Sequence, residues 1–283
     1  MAANQIELSE MIAKMKPKAR AEALACDLTP QAYPFDAIKR AEEVEKVVMQ
    51  CDKRLYYGCI FQKFYGGVCT ARTIGCNIMC AYCWNYSRNL NPRNVKNAKF
   101  YSPTEISKRI LSLASHHLGS DCRISGAEPF LGEASTRHIA KVLEICDINN
   151  FIIETNGILI GKNPSLLDLI KPFNPLVRLT IKADSPIQFE KVTGANGEAL
   201  EYQFRAYKAL KDAGINTNVA IMPQFVDKQA IQRRIKDSIE TEDLIVYAGI
   251  PNRLEKRGLK EAPKKIIFQR SHIGRKPLLS RKR

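Results

Sequence analysis

The sequence has no long apolar run, and its amino-terminal segment has no uninterrupted apolar stretch. A bilayer crossing requires about 20 consecutive apolar residues, so we expect no membrane span. A secretory signal requires a continuous apolar core, which Glu7 and Glu10 interrupt here, so we expect a cytoplasmic protein. Internal repeats and low-complexity tracts are also absent, which excludes solenoid arrays and fibrous proteins.

Histidine and tryptophan are scarce, with four residues and one residue respectively. The sequence contains no Ser/His/Asp arrangement and no pair of carboxylates placed for hydrolysis. The histidines fall on predicted helices or near the carboxyl terminus, and we expect them at the surface. They are His116, His117, His138 and His272. The remaining composition, 45% hydrophobic and 26% charged, is that of a globular protein.

Positive charge is concentrated at one end of the chain. The 283 residues have a formal net charge of +15, which suggests nucleic acid, an anionic membrane or acidic ligands as partners, or only a charged surface. Residues 253–283 hold twelve Lys and Arg but two Glu, so they carry most of the excess. The charge therefore belongs to a basic carboxy-terminal tail.

Short β-rich runs alternate with amphipathic helices from Gly67 onward. Residues 5–25 and 36–51 are predicted helices of an amino-terminal region, and the apolar stripe Ile231, Ile235 and Ile239 predicts a helix late in the chain. The predicted strands are 68–74, 123–125, 151–155, 177–182, 216–222 and 244–247. Strands that alternate with helices predict a parallel sheet with right-handed crossovers.

Six units are too few for a closed eight-stranded barrel, so we predict an α/β fold: a partial (β/α)6 TIM-like barrel. We expect three parts, a helical extension over 1–65, the barrel core over 66–250 and the basic tail over 251–283. In such a fold, ligands bind at the carboxyl ends of the strands.

The strongest chemical signal is the segment CNIMCAYC, directly after the first predicted strand of the core, with Cys76, Cys80 and Cys83. Three thiolates at these spacings can bind one metal centre, and soft thiolates favour zinc, Cu(I) or iron–sulfur clusters. Structural zinc takes four protein ligands, and no fourth Cys or His follows closely, although Cys69 lies upstream. A four-iron cluster held by three thiolates leaves one iron open to a ligand.

The other cysteines have no comparable spacing. Nine cysteines in a cytoplasmic chain do not indicate a disulfide framework. Cys122 and Cys146 are predicted to be small core residues. An auxiliary cluster built from Cys51, Cys59 and Cys69 is an alternative for the rest.

The spacing CxxxCxxC resembles the signature of the radical S-adenosylmethionine (radical SAM) superfamily, in which an aromatic residue such as Tyr82 usually precedes the last cysteine. Asn85 stands where activating enzymes of that superfamily often have Asn, and Trp84 would shield a cluster from water. The resemblance implies that Cys76, Cys80 and Cys83 are the catalytic cluster ligands.

Further stretches at the ends of predicted strands extend the resemblance. The segment with Gly126, Ala127 and Glu128 resembles the GGEP motif, whose backbone and acid hold the ammonium group of S-adenosylmethionine. The stretch with Thr155 and Asn156 resembles the TNG motif of activating-type members, whose polar groups face the cofactor.

The segment VRLTIKADSPIQFEKVTGA resembles pyruvate formate-lyase activating enzymes. The resemblance places Lys182 near the carboxylate of S-adenosylmethionine, with Thr180 where the family has Asp. Met222 would contact adenine, or pack in the core. The lead-in FYGGVCTARTIGC is also similar to archaeal-type radical SAM proteins.

The resemblance implies one 4Fe–4S cluster, S-adenosylmethionine as second cofactor, and an electron donor such as flavodoxin or ferredoxin. The implied reaction is hydrogen abstraction from a protein or peptide substrate by a 5′-deoxyadenosyl radical. One alternative is an enzyme that modifies RNA or tRNA and docks through the basic tail. The second alternative is a non-catalytic binding module stabilised by a metal.

Overall fold

The computed structural model describes residues 33–247, 249–259 and 267–268. The predicted helix over residues 5–25 and most of the basic tail lie outside the described residues. None of the helices in the described ranges combines the length and the apolar character that a bilayer crossing requires.

Most described strands form one mixed, open sheet. Within the described residues it has nine strands, in the spatial order β1-β2-β3-β5-β6-β7-β8-β9, with β4 paired to β2. The strands from β3 to β9 along this path are parallel, whereas β1, β2 and β4 pair antiparallel. The strands are β1 (Met49–Gln50), β2 (Lys53–Gln62), β3 (Val68–Thr73), β4 (Lys99–Tyr101), β5 (Asp121–Ser125), β6 (Ile152–Thr155), β7 (Leu176–Ile181), β8 (Thr217–Ile221) and β9 (Ile239–Thr241). The partial-barrel prediction is confirmed.

Helices connect the parallel strands and cover one face of the sheet. The helix after β4 begins with a capping box, in which Ser102 and Glu105 each bond the other's backbone N–H. The helices are α1 (Ala37–Val48), α2 (Tyr86–Leu90), α3 (Pro103–Ser115), α4 (Glu133–Cys146), α5 (Ile158–Lys162), α6 (Pro186–Thr193), α7 (Ala199–Asp212), α8 (Lys228–Gln232) and α9 (Ile250–Lys256).

The amino-terminal region is not wholly helical, which corrects the predicted helical extension. Helix α1 falls within the predicted range 36–51, but the ten-residue strand β2 was not predicted. Strand β2 forms a hairpin with β3 and pairs Phe61 with Cys69. At the hairpin, Gly67 has a φ of 134°, which favours glycine. The sheet therefore begins before residue 66.

The last parallel strand is also not where the sequence pattern put it. The predicted helix through Ile231, Ile235 and Ile239 is wrong beyond Gln232, because Ile239 begins β9 and pairs with Val219. A spacing of four places side chains on one face of a helix and also on one face of an extended chain, so the pattern fits both. The predicted run 244–247 instead contains β10 (Ile245–Val246), which pairs with β11 (Ile267–Phe268) in a separate two-stranded sheet.

The two faces of the large sheet differ in chemistry. Successive side chains of a strand point to opposite faces, and one face packs apolar residues such as Ile124 and Leu179 against the helices. On the other face, Arg123 of β5 donates to Thr70 of β3 at 3.1 Å and to Glu154 of β6 at 2.7 Å. This face, which the connecting helices leave uncovered, therefore carries charged and polar groups, and Thr70 and Arg123 are buried among them.

Candidate active site

The three predicted cluster cysteines lie in the loop after β3, at the carboxyl edge of the parallel strands. Backbone hydrogen bonds join this cysteine loop (residues 74–85) to the end of α6, from Met79 N to Thr193 O at 2.9 Å and from Ala81 N to Val192 O at 2.8 Å. Gly75, with a φ of 93°, lets the loop pass α1, where a Cβ would lie 2.7 Å from Val44. The loop is therefore fixed by helices on two sides.

Arginine side chains hold the backbone of the cysteine loop from both ends of the chain. Arg253 of α9 donates to Ala81 O at 3.0 Å and to Cys83 O at 2.9 Å. Arg40 of α1 donates to Cys76 O at 3.3 Å. These guanidiniums satisfy loop carbonyls that no secondary structure pairs.

Cys80 is buried, and Cys76 and Cys83 are half-buried. Burial raises the pKa of Cys83 to about 11 and also raises the pKa values of Cys76 and Cys80. The thiols interact electrostatically with one another, and the cation of Lys182 acts against the increase at Cys80 and Cys83. Thiolates here would require a compensating positive charge, which bound iron supplies.

The donor set fits a four-iron cluster. Three soft thiols from one dry loop meet its need for three protein ligands, with one iron left open. Amide donors lie near two sulfurs, with Asn89 Nδ2 at 3.9 Å from Cys83 Sγ and Asn156 Nδ2 at 4.0 Å from Cys76 Sγ. Within the described ranges, no three His, Cys, Asp or Glu side chains converge as they would around a single metal ion.

The turn after β5 is attached to the cysteine loop. Asn85 Nδ2 donates to Gly126 O at 2.6 Å, and Glu128 N donates to Gly75 O at 3.1 Å. Gly126 has a φ of 98°, and a Cβ there would lie 3.2 Å from Thr73 O. Together with the half-buried Ala127, the turn keeps its backbone close to the loop.

Glu128 connects the turn to the end of β6. Its buried carboxylate accepts from Thr155 Oγ1 at 2.5 Å, from Asn156 N at 2.8 Å and from Phe130 N at 3.1 Å. Burial raises the pKa of Glu128 to about 6, and these three hydrogen bonds oppose the increase. The structure thus brings Glu128, Thr155 and Asn156 together.

Lys182, at the end of β7, lies beside the cysteine loop. Its Nζ is 5.9 Å from the centroid of the Tyr82 ring, which stacks on Phe225 at 5.0 Å. The amide of Gln203 in α7 accepts from Lys182 N at 3.0 Å and donates to Asn156 O at 2.6 Å. Met222, also predicted here, is buried after β8.

Besides Arg40, three residues that position the site were missed in the sequence. Arg54 of β2 is fully buried and donates to Glu128 O at 2.6 Å and to Pro129 O at 2.8 Å. Gln203 and Arg253 are the others. Gln203 left a signal, because it is a polar residue on the buried stripe of α7, three positions after Leu200. Arg54 and Arg253 left none.

The other cysteines and one histidine also depart from expectation. Cys51 lies in an exposed turn, whereas Cys59 lies near Cys69, Cys122 and Cys146 in the core, so the structure does not assemble the proposed auxiliary trio. The surface expectation for His138 is wrong. It is buried, its Nδ1–H donates to Asp52 O at 2.7 Å, and burial lowers its pKa to about 4.

Comparison with solved structures gives only distant similarity. A chain described as native anSMEcpe with bound AdoMet is 19% identical, with 60% of this chain and 49% of that chain covered and a TM-score of 0.45. A structure of TYW1 with a lysine-pyruvate adduct bound is 15% identical, with 72% and 76% covered and a TM-score of 0.43. This chain thus spans about half the length of anSMEcpe.

A search of curated proteins gave no match. The sequence model of the Radical SAM superfamily matches residues 71–233, which is more than half of the chain and includes Cys76, Cys80 and Cys83. The protein therefore belongs to the radical SAM superfamily, with a 4Fe–4S cluster and S-adenosylmethionine as its cofactors.

Proposed function

We propose that Cys76, Cys80 and Cys83 hold the cluster and that the carboxyl ends of β5, β6 and β7 hold S-adenosylmethionine. One observation carries the proposal. The side-chain Nδ2 of Asn156 donates to Asn77 Oδ1 of the cysteine loop at 2.8 Å, and the backbone N–H of Asn156 donates to the carboxylate of Glu128. The three sequence motifs thus form one hydrogen-bonded unit.

When bound and reduced by one electron, these cofactors supply cleavage of the S–C5′ bond to methionine and a 5′-deoxyadenosyl radical, which removes a hydrogen atom from a substrate. The residues of the chain bind these cofactors and orient them. Lys182 offers a cation to the carboxylate of S-adenosylmethionine, and Gly126 and Ala127 offer backbone to its ammonium group. Tyr82 and Phe225 exclude water beside the thiols.

We further propose an activating-type enzyme that acts on a protein or peptide and receives its electron from a flavodoxin or ferredoxin in the cytoplasm. The stretch from Val177 to Thr193 supports this type, because it resembles the corresponding stretch of pyruvate formate-lyase activating enzymes. A reducing compartment agrees with the cysteines of the described ranges, none of which is in a disulfide.

An RNA-modifying enzyme is the second candidate, and the basic tail favours it. Two of the cations counted in that tail have structural partners, since Arg253 binds the cysteine loop and Arg257 donates to Val192 O at 3.1 Å. Binding of tRNA that falls steeply between about 50 and 200 mM salt, and that is lost on removal of 260–283, would favour this candidate.

The deciding experiment is anaerobic reconstitution with iron and sulfide, followed by incubation with dithionite and S-adenosylmethionine. We expect about four irons per chain and formation of 5′-deoxyadenosine. Cys80→Ala should lose both, and Arg137→Gln, at an exposed site on α4, should lose neither. Iron-free protein that binds zinc instead would favour the non-catalytic module and contradict the proposal.

A glycyl-radical signal in electron paramagnetic resonance, formed on a candidate protein substrate, would identify the activating type. Its absence with every glycyl-radical protein encoded beside this chain, together with 5′-deoxyadenosine formation, would contradict that type while leaving the radical chemistry in place.

A further inference from the structure

Two arginines share one tyrosine ring on the uncovered face of the sheet. The guanidinium carbon of Arg72, from β3, lies 4.3 Å from the centroid of the Tyr57 ring, and that of Arg88, from α2, lies 4.9 Å from it. We call Tyr57, Arg72 and Arg88 the arginine cradle. Arg72 Nη2 is also 3.5 Å from Tyr57 O, which holds this arginine against β2.

The cradle carries positive charge that no Asp or Glu of the described residues neutralises through an ion pair. In the described part of the chain, neither Arg72 nor Arg88 forms an ion pair with Asp or Glu. Other arginines on the same face are paired, Arg123 with Glu154 at 2.7 Å and Arg178 with Glu240 at 3.0 Å. The contrast marks the cradle as a place on this face that would attract an external anion.

Two polar atoms of the cradle also lack partners. The Tyr57 hydroxyl and Arg72 Nε are buried and form no hydrogen bond to the described residues. A buried polar group left unsatisfied costs about 1–3 kcal/mol, so such atoms usually have a water or ligand as partner. Both atoms can donate to an anion, and Nε together with a terminal nitrogen forms the fork that binds carboxylate or phosphate.

The cradle lies at the edge of the proposed cofactor pocket. Arg88 donates to Asn85 Oδ1 at 3.1 Å, and Asn85 in turn binds Gly126 O. A Cβ on Gly126 would lie 3.3 Å from the Tyr57 hydroxyl. A ligand in the cradle would therefore lie beside the turn after β5.

We propose that Tyr57, Arg72 and Arg88 form a subsite for an anionic group, a carboxylate or phosphate, of the substrate. The proposal rests on the proposed function only in assigning that anion to a substrate. The bound group would accept hydrogen bonds from both guanidiniums, with the exposed Arg88 closing over it and the half-buried Arg72 fixed beneath. The carboxylate of S-adenosylmethionine has the same chemistry, but Lys182 already offers it a cation beside Cys80 and Cys83.

The test is calorimetric titration of the reconstituted holoenzyme with bound S-adenosylmethionine, at constant ionic strength. The probes are inorganic phosphate, inorganic pyrophosphate and malonate. We expect saturable binding of at least one probe, weakened about tenfold or more in Arg72→Gln and in Arg88→Gln. Arg72→Lys should restore part of the affinity, since it keeps the charge and loses the fork. Tyr57→Phe should weaken binding by about threefold to tenfold.

The matched control is Arg205→Gln. Arg205 also stacks on a tyrosine, with its guanidinium carbon 5.5 Å from the Tyr202 centroid, but it lies on α7. The Arg205→Gln variant should bind the probes with the affinity of the wild-type protein. Circular dichroism and iron content confirm that each variant is folded and loaded.

Three results would overturn the proposal. They are no saturable binding of any probe to the wild-type protein, an equal loss in Arg205→Gln, and a loss of S-adenosylmethionine affinity as large as the loss of probe affinity. The last result would assign the cradle to the cofactor. Failure of the proposed function is distinguishable, because it would appear as no 5′-deoxyadenosine while anion binding still depended on Arg72 and Arg88.

Discussion

Two groups of buried and half-buried cysteines lie in the described part of the chain. The loop group is Cys76, Cys80 and Cys83, and the core group is Cys59, Cys69, Cys122 and Cys146. Burial raises the pKa of Cys83 to about 11 and that of Cys122 to about 12. Burial thus raises the pKa of a thiol in each group.

The groups differ in what surrounds them. Cys80 and Cys83 have Lys182 nearby, and an arginine of the α9 region acts on each. At Cys122, the charges of Asp121 and the other core thiols only add to the effect of burial. Cys69 of β3 and Cys122 of β5 are paired neighbours on parallel strands. Because side chains alternate between the two faces of a sheet, both point to the face that the helices cover. Burial is thus common to both groups, whereas the loop at the strand ends and the nearby cations distinguish the group proposed to hold the cluster.

The largest expected effect separates the two groups directly. Cys83→Ser should abolish the absorbance of the cluster and 5′-deoxyadenosine formation, because three thiolates are needed. Cys122→Ala, which removes only a small core side chain, should keep the iron content of the wild-type protein. Equal iron loss in both variants would contradict the assignment of the cluster to the loop group alone.

Loop anchoring should have the next largest effect. Arg253→Gln removes hydrogen bonds to Ala81 O and Cys83 O, each worth about 0.5–1.5 kcal/mol net. We expect iron removal by a chelator to be about tenfold faster. The exposed control Arg137→Gln should match the wild-type rate, and a wild-type rate in Arg253→Gln would show that the loop is held by other contacts.

Cluster binding should depend on pH through the loop thiols alone. Because burial raises the pKa of Cys83 to about 11, its thiol must lose a proton to bind iron, and apparent affinity rises with pH. Chelator competition at pH 7.0 and 8.5 should show tighter iron retention at 8.5. Cys122→Ala should leave the pH dependence of iron retention unchanged. Iron retention that does not change with pH in the wild-type protein would show that the loop thiols are already ionised.

The smallest effect concerns the core group. Cys122→Ser places a hydroxyl at a buried position. We expect it to lower the free energy of unfolding by about 1–2 kcal/mol more than Cys122→Ala does. Thermal unfolding followed by circular dichroism measures the difference. Equal stability of the two variants would indicate that water or a polar partner reaches this site.

Local patterns were sufficient for the cysteine loop and most parallel strands. Each parallel strand before β9 overlaps a short β-rich run that ends at a polar or glycine-containing turn, so its position could be predicted from adjacent residues. Strand β2 was missed although it pairs with the neighbouring β3. The contacts of Arg253 could not be predicted, because they join segments 172 and 170 positions apart in sequence. The partners of Glu128 were missed for the same reason, since Thr155 lies 27 positions away.

The hydrogen bonds of Arg253 to the cysteine loop also set an order of assembly. Arg253 lies 172 positions after Ala81 and 170 after Cys83, so a ribosome completes the loop long before it adds this arginine. Because chains fold from the amino-terminal end during synthesis, the loop spends that interval without its last anchor. The loop therefore gains its contacts with helix α9 only after most of the described chain has been made.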